Sequence, residues 1–332
     1  MHPHSTTQLK GRESPSSSIV SFERGLLRGG AVLLTLMKRT SLLVLMLCCL
    51  VPSPFFAWGL EIHRFISDQA ICVLPAALRP FFEKHRAFIV EHSVDPDLWR
   101  NMGFLEEPPR HFLDLDAFGS YPFRELPREK EAAIRRFGKE RIDKEGQVPW
   151  RTVEIYQRLA QAFEQLKAGT NLYAMDDIKF FSAALSHYVS DAHVPFHAAK
   201  NYDGQMTNQH GIHSRFETEL VLRYRERLNI RPLPIHSIAN PLDFIFEELL
   251  KSFTYVEPIL KADREAARGR EEYDDAYFDK LFFQIRPILE GRLNDSITSV
   301  ASMIVSAWEK AGRPELPLEI KRNPKKILRE NP

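Results

Sequence analysis

The stretch Ser186-His-Tyr-Val-Ser-Asp-Ala-His-Val-Pro-Phe-His197 puts three histidines and an aspartate into twelve residues. His187 and Asp191 stand four apart, so on a helix both project from one face. Pro195 has no N–H to offer the carbonyl of Asp191, and the helix is expected to end close to it. His197 then lies past the helix end and can turn toward a second point. A histidine and a carboxylate held on a rigid helix make good ligands for a borderline metal such as zinc. A hydrogen-bonded core pair at an interhelix contact has the same spacing, so these two residues alone do not choose between the readings.

Working outward, helical periodicity continues in both directions. Asp176 is placed to cap a helix carrying Ile178, Phe181, Leu185 and Tyr188 at spacings of three and four. Before it, Val153, Tyr156, Leu159, Phe163 and Leu166 mark a helix that stops at Gly169. Ile62, Phe65, Ile66 and Ala70 mark another, ending before Pro75, and Ile212, Phe216, Leu220 and Tyr224 a third. Phe278 to Trp308 is a long apolar-periodic stretch that Pro287 is expected to kink or split. No alternating strand pattern, Gly-rich phosphate loop or internal repeat occurs. The chain therefore reads as all-α, with a single helical domain over residues 58–312. Residues 101–150, with Pro108, Pro109, Pro122, Pro127 and Pro149, read as a long irregular connection, the usual place for functional groups. Residues 313–332 read as an extended, mobile tail.

Three more segments carry chemistry. Gly211-Ile-His-Ser-Arg-Phe-Glu-Thr-Glu-Leu220 repeats the four-residue spacing with His213 and Glu217, one step off the Ile212/Phe216 stripe. Alone this is as much a surface ion pair as a ligand pair. Pro109-Arg-His-Phe-Leu-Asp-Leu-Asp116 places His111 after a proline break. In Ser93-Val-Asp-Pro-Asp-Leu-Trp-Arg100, Asp97 and Arg100 lie one helical turn apart. They can aim a metal-binding carboxylate and a phosphate-binding guanidinium at one site, or simply pair with each other.

The ends bound where this chemistry operates. Met37-Lys38-Arg39, the apolar run from Ser41 to Val51 and the break at Pro52-Ser53-Pro54 read as a secretory signal spanning about 37–57. The run is shorter than the ~20 apolar residues that cross a bilayer. Residues 1–36 fit awkwardly ahead of it, as a segment upstream of a true start at Met37 or as a disordered extension. Cleavage between Ala57 and Trp58 would leave an exported protein, periplasmic or extracellular. Residues 1–57 hold six Lys/Arg and two Asp/Glu, so of 45 basic and 44 acidic residues 39 and 42 remain, a net charge near −3. That balance supplies no generic attraction to nucleic acid or anionic lipid. Of three cysteines, Cys48 and Cys49 lie in the signal, and Cys72 alone cannot form an internal disulfide. A metal is a natural alternative staple.

Taken together, these residues resemble the superfamily that joins bacterial zinc-dependent phospholipases C with the single-strand-specific nucleases of fungi and plants, over Trp58 to about Tyr224. The resemblance implies an α-helical domain around three zinc ions. It implies that Trp58, through its free amine and carbonyl, and His63 serve one zinc. Asp97, His111, His187 and Asp191 would serve another, with Asp191 bridging the two, and His197, His213 and Glu217 the third. It further implies hydrolysis of phosphodiesters by metal-activated water, with Asp97 and Arg100 as catalytic residues.

The branch is divided. The short gap from Trp58 to His63 and the Asp97/Arg100 pair resemble the nucleases. Glu217, where the nucleases tend to carry Asp, and the short loop from His197 to His213 resemble the phospholipases. The first reading is thus a phospholipase C-like phosphodiesterase working at a membrane surface. The second is a single-strand nuclease with nucleotidase activity, with Phe112, Tyr121, Phe123 and Tyr202 as possible base-stacking walls. The third is a metal-stabilised binding protein without activity. His85, His92 and His236 read as surface residues, and His193 and His210 as supporting groups or exposed ones. No obligate protein partner is evident.

Overall fold

In a computed structural model of the chain, residues 59–319 are described. The signal-type segment, Trp58 and the tail beyond residue 319 lie outside them. The described part is built of helices: α1 (Leu60–Val73), α2 (Arg79–Lys84), α3 (Arg86–His92), α4 (Asp95–Asn101), α5 (Lys130–Phe137), α6 (Lys139–Glu145), α7 (Val148–Ala168), α8 (Ala174–Asp191), α9 (Ile212–Ser214), α10 (Leu220–Tyr224), α11 (Pro241–Thr254), α12 (Val256–Ala267) and α13 (Asp275–Lys310). Among the described residues the only β-type pairing is an isolated bridge between Leu113 and Gly146. The all-α architecture is what the periodicities imply.

Helix α8 is the axis of the site. Its residues 182–191 are buried on every side, because α1, α3, α7 and α13 all pack against it. A helix enclosed all round is normally apolar all round, and Leu185 and Val189 follow that rule while His187 and Asp191 break it. The enclosing helices contribute a continuous core that includes Ile62, Ile66, Leu159, Phe163, Ile297 and Ile304. Each such side chain stabilises the fold by about 1.5–3 kcal/mol through burial, so the polar pair is held in a rigid surround. The described residues belong to one compact unit.

The long helix α13 carries a second polar line. Glu290, Asn294, Thr298, Ser302 and Ser306 recur every four residues and accept hydrogen bonds from the amides of Asn229, Arg231, Leu233, His236 and Ile238. Four helical residues rise about 6 Å and two extended residues about 6.6 Å, so the stripe meets nearly alternate amides of a strand-like segment, with one three-residue step from Leu233 to His236. These bonds satisfy backbone donors of a segment that has no sheet ladder to take them.

Several local expectations are corrected. Asp176 does not cap α8. Tyr173 occupies the cap position, and Asp176 sits in the first turn beside Lys179 at 2.8 Å, where a negative charge still favours the helix start. Pro287 does not split α13, which runs unbroken over 36 residues. The carbonyl it leaves unbonded is that of Phe283, a residue on the solvent side with 82% exposure, where hydration can replace the bond. Residues 101–150 are less irregular than expected, since α5, α6 and two 3₁₀ turns lie within them. The tail begins in contact with the body: Pro314 is buried and its carbonyl accepts the Trp308 indole N–H at 2.8 Å.

Candidate metal centre

Five segments converge below the end of α8. Helix α1 brings His63, α4 brings Asp97 and Arg100, the loop after Pro108–Arg110 brings His111, α8 brings His187 and Asp191, and a 3₁₀ turn at Pro195–Ala198 brings His197. His213 lies in α9, and Glu217 sits within the π turn over Arg215–Glu219 that follows it. All of these except Arg100 are buried. Three groups of ligand-type atoms form, each with its atoms within 4.8 Å of one another: His63, His187 and Asp191; Asp97, His111 and His187; and His197, His213 and Glu217.

Distances link the groups into one centre. Asp191 lies 3.5 Å from His63 Nε2, 3.0 Å from His111 Nδ1, 3.4 Å from His187 Nε2 and 3.7 Å from His197 Nδ1. His63 stacks on His187 with ring centroids 3.9 Å apart. His213 Nε2 and Glu217 are 3.0 Å apart, and the His197 and His213 rings meet edge to face at 5.0 Å. Arg100 reaches Asp97 at 3.3 Å and keeps part of its side chain exposed. Of the residues marked in the sequence for metal, only Trp58 falls outside the described residues.

Backbone carbonyls set the histidine tautomers. His187 Nδ1–H donates to the Ser93 carbonyl at 2.9 Å, and His197 Nδ1–H donates to the His111 carbonyl at 2.7 Å. A carbonyl can only accept, so Nε2 is left with the lone pair that a metal takes. The His111 loop is itself braced. Leu113 N donates to the His197 carbonyl, and Asp114 N and Val148 N bond across the chain to Glu145 and Phe112. Gly146 makes this bracing possible: its φ is +108°, and a Cβ there would stand 2.2 Å from the Phe112 carbonyl oxygen.

Burial dominates the electrostatics. It pushes the Asp97 carboxyl up to about 7, against the pull of Arg100. Asp191 is driven well above the ordinary carboxylate range by burial, with the charges of Asp97 and Glu217 adding to it. Burial lowers His187 to about 3 despite its bond to Ser93, and holds His111 and His197 well below the usual imidazole range. The imidazoles are thus neutral, the state that binds metal.

The donor set fits a borderline divalent cation. Asp97 Oδ2, Asp191 Oδ1, His111 Nε2 and His213 Nδ1 are buried without a hydrogen-bond partner among the described residues. Each such atom costs roughly 1–3 kcal/mol if left unsatisfied, and a cation satisfies several at once. Imidazole nitrogens with carboxylate oxygens and no thiolate suit zinc. Cys72 is exposed and takes no part.

Supporting residues escaped the sequence reading. Glu107 is buried, accepts from Arg110 at 2.8 Å and from the Tyr188 hydroxyl, and stands 3.7 Å from His111 Nε2. Its four-residue spacing to His111 was the available signal. Arg215, inside the π turn, donates to Tyr277 Oη at 2.8 Å and to Asp263 at 3.1 Å, anchoring the turn that presents His213 and Glu217. Nothing local marks those distant partners. His193 is fully buried and faces Ser299 at 3.0 Å and Glu248 at 3.2 Å, while His210 is exposed. Of the aromatic walls, Phe123 is buried and Phe112 half-buried; Tyr121 stacks on Phe253 at 6.3 Å and, like Tyr202, is largely exposed.

An all-helical body with clustered, buried histidines and carboxylates defines a metalloprotein whose centre suits zinc. The chain belongs to the zinc dependent phospholipase C family, whose model matches residues 62–265 and so more than half of the sequence. It is accordingly a zinc-dependent protein of the phosphoesterase type. Comparison with curated proteins returns no match.

Proposed function

We propose that the protein is an exported phosphodiesterase that cleaves phospholipid head groups with three zinc ions. The observation that carries this reading is the linkage of three ligand groups through Asp191 and His187, with Arg100 beside Asp97, in a chain of this family. Asp97, His111, His187 and Asp191 would hold one ion. His63 and Asp191, with the amine and carbonyl of Trp58, would hold a second, and His197, His213 and Glu217 a third. Bound zinc supplies Lewis acidity toward phosphate oxygens and brings the pKa of water toward neutrality.

The chain's own residues do the rest. Asp97, 3.3 Å from Arg100, would orient the attacking water and accept its proton. The Arg100 guanidinium holds phosphate oxygens and offsets charge that builds during attack. Water oxygen bonds to phosphorus, the bond to the alcohol oxygen breaks, and that oxygen takes up a proton. The products are an alcohol and a phosphomonoester, with no covalent enzyme intermediate.

The small negative balance of residues 58–332 and the burial of Phe123 favour lipid over nucleic acid. Zinc-loaded protein incubated with phosphatidylcholine vesicles should release phosphorylated head group. Cleavage of single-stranded DNA with intact lipid would replace this reading with the nuclease, and inertness toward both would leave a binding protein. Export is tested by the N-terminus of secreted protein. If it begins at Trp58, a version with one added residue there should lose one zinc, because an amide nitrogen is a poor ligand.

A further inference from the structure

Between the two stems of the centre lies a short apolar tip. Helix α4 carries Asp97 and Arg100, and residues 102–106 follow directly before Glu107 and His111. Within this segment Met102, Phe104 and Leu105 are 73%, 53% and 88% exposed, and Leu98 on α4 adds 39%. Nowhere else among the described residues do four exposed large apolar side chains fall within eight consecutive positions. Single exposed apolar residues are ordinary, but a contiguous group marks a surface that something covers.

The tip is also shaped. Met102 N bonds to the Leu98 carbonyl at 2.9 Å, Phe104 N to the Trp99 carbonyl at 3.3 Å and Glu107 N to the Phe104 carbonyl at 2.9 Å. Gly103, at φ +90°, supplies the left-handed residue that such a helix end requires. The apolar side chains are therefore presented by a hydrogen-bonded turn. A usual companion of this turn is burial of the residue after the glycine against the helix, yet Phe104 remains more than half exposed.

We propose that residues Leu98, Met102, Phe104 and Leu105 dock the protein onto a zwitterionic lipid surface, placing head groups at Arg100 and Asp97. This rests on the phospholipid reading of the same site. The geometry commits the occupant, because whatever covers the tip is held within a few residues of Asp97 on one side and His111 on the other. Charge narrows it further. Residues 101–106 carry no Lys or Arg, and their one charge is Glu106. Attachment by apolar insertion into the head-group boundary fits that composition, whereas attraction to an anionic surface does not.

The test is flotation of the zinc-loaded secreted protein with phosphatidylcholine vesicles. The variants are Met102→Ser/Phe104→Ser/Leu105→Ser together, Leu105→Ser alone, and Phe283→Ser as a control at another exposed apolar position. Zinc content and melting temperature of each establish that the centre and fold persist. The triple variant should bind vesicles about tenfold more weakly or worse, Leu105→Ser should fall between, and Phe283→Ser should match wild type. Equal binding by the triple variant and wild type, or no wild-type binding, would overturn the proposal. So would a wild-type dimer in sedimentation that the triple substitution dissociates, since a second copy would then cover the tip. Binding that needs phosphatidylserine and disappears with salt would also overturn it. A protein that binds phosphatidylcholine through this tip but hydrolyses no phosphodiester would retain the docking inference and lose the proposed function.

Discussion

Asp191→Asn separates what the centre contributes from what the fold contributes, because the two effects have opposite signs. Asp191 is fully buried among His63, His111, His187 and His197, all within 3.7 Å. Burial raises its carboxyl well above the usual range, so the metal-free fold favours its protonated form more than the unfolded chain does. Such a group weakens the metal-free fold as pH rises above the ordinary carboxylate range. Asparagine keeps the shape and removes that penalty, so the metal-free variant should be as stable as metal-free wild type or more so. With zinc the order reverses. A single site held at a thousandfold excess over its Kd stabilises by ~4 kcal/mol, and about 2–4 °C per kcal/mol for a domain of this size makes that roughly 8–16 °C. Asp191 touches two proposed sites, so the variant should lose at least one such increment and more than one zinc per chain. Differential scanning calorimetry with and without chelator, paired with elemental analysis, reads both effects. A variant that retains the full wild-type zinc content refutes the bridging role, and one that unfolds far below metal-free wild type refutes the electrostatic reasoning.

Zinc affinity should rise with pH, because Asp97, raised to about 7, must lose its proton to bind, and burial also holds Asp191 above the ordinary carboxylate range. Competition with a chelator between pH 6 and 7 should give a change of up to about tenfold per pH unit, and a flat profile would remove Asp97 from the ligand set. Arg100→Ala should keep its zinc and its melting temperature while turnover falls by about 10²–10³-fold; loss of zinc instead would make Arg100 a structural partner of Asp97. Gly146→Ala should destabilise by roughly 2 kcal/mol or more, since its Cβ would strike the Phe112 carbonyl oxygen at a φ that alanine avoids. Urea unfolding of the metal-free forms measures that change, and an unchanged midpoint would show that the His111 loop can yield.

The helices and the paired residues were legible in the chain because both are local. A 3.6-residue repeat places Ile62 with Ile66, His187 with Asp191 and His213 with Glu217, wherever those helices finally pack. The four-residue recurrence of Glu290, Asn294, Thr298, Ser302 and Ser306 was equally local, but its partners, amides of residues 229–238, are joined to it only through the fold. The proline at 287 and the aspartate at 176 misled because local rules ignore which face meets solvent and which residue actually starts the helix. What tertiary structure alone decided is the chemistry of the centre. It brought His63 against His187, set the imidazole tautomers with the Ser93 and His111 carbonyls, and enclosed Asp97 and Asp191 deeply enough to raise both carboxyls. It also left Met102, Phe104 and Leu105 outside. A side chain's residue type is written in the sequence, but its burial or exposure depends on distant segments packing around it, and that is what separates a pair of ordinary residues from a metal site and a buried apolar loop from an exposed one.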